Sequence, residues 1–257
     1  MATVSEIHSY LDTLLPRSLS CEWDNDGLMV TGDKNTEVKK ILFTLDITMQ
    51  AVEYAEKIGA ELIISHHPLI FKGIKHVTGD DITSKKVIRL LQGGISAMSF
   101  HTRLDAAEGG INDVLAETLG LINIEKFEAE EGLESRVGNL EKEMRFEEFC
   151  HYVKEKLGAP DLLASKGKET VSRVALLGGA GKDAVFSAMA TGADAYLTGE
   201  AGYHALLDAM EMGFSVITAG HDFTENGFSA YFKKALGEKF EGLIFEDNPV
   251  KCALCHF

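Results

Sequence analysis

Apolar and polar positions in this chain fall into blocks that recur. Short apolar runs of strand length, such as Leu62-Ile63-Ile64, Ala97-Met98 and Val216-Ile217, alternate with stretches whose apolar residues fall at helical spacing. The segment from Lys40 to His67, KILFTLDITMQAVEYAEKIGAELIISHH, aligns without a gap on Arg173 to Glu200, RVALLGGAGKDAVFSAMATGADAYLTGE. Ala51, Val52, Ala55, Gly59 and Ala60 fall on Ala184, Val185, Ala188, Gly192 and Ala193. Each copy reads as a basic residue, an apolar strand, a turn, an amphipathic helix, Gly-Ala-acid and a second strand. Gly59 and Gly192 stand where a glycine closes a helix. A third strand follows in each half, Gly94 to His101 and Gly213 to His221, with histidine at its end. Each half therefore predicts strand–helix–strand–helix–strand, paired largely parallel through helical crossovers.

The expected fold class is α/β, with two similar three-layer α/β domains related by internal duplication and a metal site in the cleft between them. We place a first domain at residues 1–130 and 240–257 and a second at 131–239. The acidic, glycine-containing stretch Phe127 to Asn139 reads as the join, and Leu243-Ile-Phe-Glu as one more strand returning to the first domain.

Composition narrows the function classes. The 257 residues are 45% hydrophobic and contain no apolar run long enough for a membrane helix. The N-terminus has no secretory pattern, and four scattered cysteines point to a reducing compartment, so a cytoplasmic location is expected. Acids outnumber bases 40 to 25, a net charge of −15, and no basic stripe occurs. Nucleic acid is therefore disfavoured as a partner, because phosphate contacts need clustered Lys and Arg. The acid excess reads as solvated helix faces at Glu125 to Glu131 and Glu141 to Glu148.

Candidate chemistry sits at strand ends, where open α/β sheets gather ligands. The segments are His66-His67-Pro68, His101-Thr-Arg-Leu-Asp105 and His221-Asp-Phe-Thr-Glu225. Pro68 stops the strand, so His66 and His67 can both turn toward one site. His101 and Asp105, like His221 and Glu225, stand four apart, and on a helical turn such side chains share a face. The alternative for Asp105 is a helix-start acid, a role that suits Asn112 better; for Glu225 it is a solvated loop acid. Imidazole and carboxylate without thiolate suit two divalent ions from Zn, Fe, Mn, Co or Ni. Glu225 is the candidate bridge, at an ion separation of roughly 3.5–4 Å.

Weaker signals accompany these. Trp23-Asp-Asn-Asp-Gly27-Leu reads as a structural turn. Asp46 is a helix N-cap or an acid behind the site, the cap being preferred. Tyr203-His204 can face the cleft, with His204 as a proton-transfer group. Gly178-Gly179-Ala180-Gly181-Lys182 can cradle an anion through backbone N–H groups. Cys252-Ala-Leu-Cys255-His256 matches a haem-attachment pattern in form but reads as a frayed tail able to pick up stray zinc.

Together, Trp23-Asp-Asn-Asp-Gly-Leu, Ser65-His-His-Pro, His101-Thr-Arg-Leu-Asp-Ala-Ala-Glu-Gly-Gly-Ile-Asn-Asp and Gly220-His-Asp-Phe-Thr-Glu resemble the GTP cyclohydrolase 1 type 2 homologue, or Nif-three-like, family nearly end to end. The resemblance implies two similar α/β domains, a homohexameric toroid and dinuclear metal sites facing its interior. It implies His66 and His67 as ligands to separate ions, Asp105 as a terminal ligand, His221 as a further ligand and Glu225 as the bridge. It implies that His101 lies beside the metals, either as a ligand itself or just behind the ligands. At 257 residues the chain resembles the short form, without the inserted domain of longer relatives. Arg103 stands where asparagine is usual, and Asp26 and Met29 vary the early loop; Arg103 can bind an anionic substrate or pair with a nearby acid. The implied activity is metal-dependent hydrolysis of a nucleotide or related small anion, with His101, Glu225 and His204 as candidate catalytic groups. The alternative is a non-catalytic metal-binding regulatory or scaffold protein acting through protein partners.

Overall fold

The computed structural model describes residues 2–249, so Cys252, Cys255 and His256 lie outside the described residues. The chain opens with β1 (Ala2–Thr3), α1 (Val4–Leu14), β2 (Gly27–Val30), β3 (Glu37–Val38) and β4 (Lys40–Thr44). Next come α2 (Met49–Ile58), β5 (Leu62–Ser65), α3 (Ile82–Gln92), β6 (Ser96–Ser99), α4 (Thr102–Ala106) and α5 (Ile111–Thr118). The middle holds β7 (Ile122–Glu130), β8 (Leu133–Arg145), α6 (Phe146–Leu157), β9 (Leu163–Ser165) and β10 (Thr170–Ala180). The last part holds α7 (Val185–Ala190), β11 (Ala195–Glu200), α8 (Tyr203–Glu211), β12 (Ser215–Thr218), α9 (His221–Glu225), α10 (Phe228–Lys239) and β13 (Ile244–Asp247).

The protein is an α/β chain with two mixed sheets, in two compact units, residues 2–104 with 228–249 and residues 105–227. The sequence reading placed the boundaries at 130 and 240 instead. Residues Phe127 to Asn139 do not join the units: they lie in the β7–β8 hairpin, whose register pairs Ile122 with Asn139 and Phe127 with Ser135. The run from Glu125 to Glu130 is accordingly strand and not helix. A polar, exposed edge strand carries no apolar alternation, so its pairing leaves no pattern to read.

In the first unit the strand order is β13-β4-β5-β6-β2, with β2 alone running antiparallel to its neighbour. Every residue of β5 and β6 is buried, as expected of parallel strands covered on both faces. Leu42, Ile63 and Ala97 pack with Val52 and Ala55 of α2 and with Val87 and Leu90 of α3. Phe232 of α10 stacks on Phe43, at 6.1 Å between centroids, and meets Phe100 at 5.4 Å.

In the second unit the order is β7-β8-β10-β11-β12-β9, and β10, β11 and β12 are parallel. Its core joins Val174, Leu176, Leu197 and Ile217 to Phe149 and Val153 of α6.

The Gly-Ala-acid signature does the same work in each unit. Gly59, at φ +67°, closes α2, and Glu61 Oε2 accepts from the N–H groups of Lys39 and Lys40 at 3.0 and 2.9 Å. Gly192 is at φ +77°, and Asp194 Oδ2 accepts from Ser172 N and Arg173 N at 2.9 and 3.0 Å. The acid ties the second strand to the first one's start. Burial pushes the Asp194 carboxyl up, but Lys168 and these N–H groups outweigh it and hold it down to about 2. A lowered carboxylate pKa contributes stability above the unfolded value that is lost as pH falls through the folded one. Asp194→Asn is therefore expected to lower the urea midpoint by a constant amount near neutrality. The gap from the parent should begin to narrow below about pH 5; a gap that widens in acid would refute this role.

Candidate metal centre

The first unit brings three histidines together where β5 and β6 end. His66 and His67 follow β5 directly, and His101 precedes α4. One ring nitrogen from each of the three lies within 4.8 Å of the others. Ring centroids are 5.0 Å apart for His66 and His67, 5.1 Å for His66 and His101 and 5.7 Å for His67 and His101.

Each ring is held by Nδ1. His66 Nδ1 donates to the Phe100 carbonyl at 3.1 Å, His67 Nδ1 to Asp46 Oδ1 at 2.9 Å and His101 Nδ1 to Asp24 Oδ1 at 2.9 Å. Carbonyl and carboxylate oxygens only accept, so the proton is on Nδ1 and the neutral ring carries its lone pair on Nε2. That is how metal-binding imidazoles are oriented and made more basic.

Asp46 is thus not the helix cap favoured on sequence. Thr48 caps α2, its hydroxyl accepting from Ala51 N at 3.0 Å. Asp24 is buried and also accepts from Thr102 N and Oγ1, at 3.1 and 2.6 Å. Burial pushes its carboxyl up, but the His101 ring and Thr102 hold it down to about 2. It is an anion throughout the physiological range. The Trp-Asp-Asn-Asp-Gly turn therefore orients His101 besides turning the chain, a role the turn residues alone did not reveal.

Arg103 is committed to structure and not to a substrate. Its side chain is buried, donates from Nε to Asp26 Oδ2 at 2.9 Å and from Nη2 to Asp26 Oδ1 at 3.1 Å, and reaches Asp12 and the Leu15 carbonyl from Nη1. Its guanidinium also lies over the Phe100 ring at 4.6 Å.

The second unit repeats the device once. His221 opens α9 after β12, its Nδ1 donates to Glu200 Oε1 at 3.1 Å, and its Nε2 lies 3.3 Å from Glu225 Oε2. Glu225 is only 3% exposed. Gly179, at φ +68°, makes room for it: a β-carbon there would collide with Glu225 Oε1 and sit 3.1 Å from His221 Nε2. The glycine run does not cradle an anion. Its N–H groups are taken, Gly178 by Asn112 Oδ1 at 2.9 Å, Gly179 by Thr224 Oγ1 at 3.0 Å and Gly181 by the Glu200 carbonyl at 3.2 Å.

Asp105 lies on α4 and is 7% exposed. Asn112 is not a cap but a brace, donating from Nδ2 to the Asp105 carbonyl at 3.0 Å while its Oδ1 takes Gly178 N–H. Buried Arg136 donates to the Ala106 and Ala107 carbonyls at 3.3 and 3.0 Å, fixing the turn that carries Asp105. His204 stands exposed near the start of α8, edge-on to Tyr203 at 5.3 Å, and belongs to no ligand group among the described residues. The chain thus carries buried His, Asp and Glu side chains able to hold metal ions.

The outer carboxylates make a direct prediction. Asp46→Ala removes the acceptor that holds the His67 proton on Nδ1. Affinity for a divalent ion is expected to fall about 10- to 100-fold by competition with a chelating dye. An unchanged affinity would assign Asp46 to the surface.

Comparison with known proteins gives a consistent picture. The family model described as Duf34/NIF3 (NGG1p interacting factor 3) matches residues 2–250. A GTP cyclohydrolase 1 type 2 homolog of Clostridium perfringens is 35% identical, with 85% of each chain covered. The fold superposes on a Staphylococcus aureus hypothetical protein with TM-score 0.87 at 26% identity, covering 99% of both chains. It also matches reduced HcgD from Methanocaldococcus jannaschii with TM-score 0.82 at 31% identity, covering 96% of this chain and 97% of that one. No helix among the described residues is long and apolar enough to cross a membrane.

Proposed function

This chain belongs to the Duf34/NIF3 family, and from that premise we propose that it is a dinuclear divalent-metal protein that hydrolyses a nucleotide or a related small anion. The observation that carries the proposal is the shared anchoring of four histidines. His66, His67, His101 and His221 are each held at Nδ1 by an oxygen acceptor, the arrangement that orients an imidazole for binding a metal ion.

The donor set fits such ions. His66, His67, Asp105 and His221 are the proposed ligands and Glu225 the proposed bridge. Nitrogen and oxygen donors without thiolate suit Zn, Fe, Mn, Co or Ni. When bound, two ions supply Lewis acidity and an activated nucleophile at neutral pH. The protein's own groups do the rest: Asp24 keeps the His101 proton on Nδ1, so Nε2 can take a proton from a reacting group, and exposed His204 can pass one to solvent. The name of the clostridial relative suggests GTP as the first substrate to try. The matching strand patterns support descent of the halves from one ancestor, and the resemblance supports a homohexamer.

Metal content per chain tests the proposal, by plasma mass spectrometry on untagged protein purified without chelator. About two equivalents are expected in the parent, with most lost from a His67→Ala/Glu225→Ala variant. GTP turnover that disappears in Glu225→Ala while folding persists would support the hydrolase. Metal loss that dissociates or unfolds the protein, with no turnover of any nucleotide, would instead assign a scaffold role.

A further inference from the structure

Trp23 and Phe71 stand where core packing does not explain them. They are 55% and 45% exposed, yet their rings meet at 6.0 Å with a 66° tilt. Both also meet His101 edge-on, at 6.1 and 6.3 Å. A single exposed aromatic is ordinary, but two in contact beside a histidine cluster combine apolar wall and convergent polar groups, as small-molecule sites do. The wall is held in place. Asp24, next to Trp23, is buried and bonded to His101 and Thr102. Asn25 Nδ2 donates to the Ile70 carbonyl, so the loop bearing Trp23 is tied to the loop bearing Phe71. All of these residues lie in the first unit.

We infer that Trp23 and Phe71 form a stacking flank that receives a planar heteroaromatic ring, of the purine kind, and sets its position against His101. The inference rests on the metal-centre reading above and names the substrate class for it. More than half of Trp23 is open, so the indole can offer a face for stacking. Stacking on aromatic side chains tolerates any base because every base has a π-face. Exposed Lys72 and Lys75 follow Phe71 on the same loop, which suits a ring carrying an anionic tail.

Trp23 is the single tryptophan of the chain, so its emission reports directly on the flank. Metal-loaded full-length protein is titrated with GTP, guanosine, adenosine and inorganic triphosphate. The three base-bearing probes are expected to quench saturably and triphosphate not to. Phe71→Ala should raise the GTP dissociation constant roughly 10- to 100-fold, with Phe71→Tyr restoring it and metal content unchanged in both. Equilibrium dialysis with labelled GTP extends the comparison to Trp23→Ala, and Trp23→Phe should rescue it. Quenching without turnover would keep this inference and remove the hydrolase reading. Bound metal with no quenching by any base-bearing probe, equal quenching by triphosphate, or parent-like GTP affinity in both alanine variants would overturn the inference and leave the metal centre intact.

Discussion

Replacing Arg103 with methionine is expected to destabilise the protein by about 3–5 kcal/mol, the range for removing one partner of a buried ion pair. The guanidinium forks onto both oxygens of Asp26, whose side chain is fully buried. Without it Asp26 keeps Arg17, Ser20 and the His101 N–H, but Arg17 is half exposed and reaches one oxygen. Asp12 and the Leu15 carbonyl also lose this donor, so α1 and the residue after it loosen from α4. Lysine should rescue little, because an ammonium cannot make a planar two-pronged contact. Urea denaturation of the parent, Arg103→Met, Arg103→Lys and the double variant Arg103→Met/Asp26→Leu is the measurement. Recovery of a good part of the loss in the double variant would show that the stranded carboxylate causes the damage. A loss below about 1 kcal/mol in Arg103→Met, the size of a surface pair, would mean that the arginine is free for another task.

Gly179→Ala is the second large effect, and under the proposed function it is expected to fall on metal binding more than on the fold. The added methyl collides with Glu225 Oε1 and comes within 3.2 Å of its Cδ. The φ of +68° adds strain of about 1–2 kcal/mol for any residue with a β-carbon. Glu225 must move, and in the proposed centre it is the carboxylate shared by the two ions. Most of the bound metal is expected to be lost. Gly192→Ala is the control: its φ is +77°, so it carries similar strain, but nothing lies within 4 Å of the new methyl. Comparable metal retention in the two variants would separate Glu225 from the centre.

Much of this site was open to inspection in the linear order of residues. The histidines and their carboxylates were visible because each motif is local: His66 and His67 are adjacent, and His221 and Glu225 are one helical turn apart on α9. What anchors them was mostly not visible, Asp46 alone having been offered as an acid behind the site. Asp24 and His101 are 77 positions apart, and Asn112 reaches Gly178 across 66. Arg103 was ambiguous in sequence because an arginine near a site can serve a substrate or an acid with equal chemical ease. Its burial against Asp26 decided between them. The glycine run misled for the converse reason, since its N–H groups look available until Asn112 and Thr224 are seen to occupy them.

The sequence by itself determined the βαβ units, because apolar periodicity and the Gly-Ala-acid turn act over a few residues and need no partner to be read. It determined the donor types too, since imidazole and carboxylate chemistry belongs to the residue. Only the tertiary structure decided which strands are neighbours, with β13 beside β4 and β7 beside β8. Only it decided which oxygen holds each ring at Nδ1. Strand order and hydrogen-bond partnership are properties of pairs remote along the chain. A polar residue carries no mark of its partner until burial makes an unmet hydrogen bond costly and so selects one arrangement.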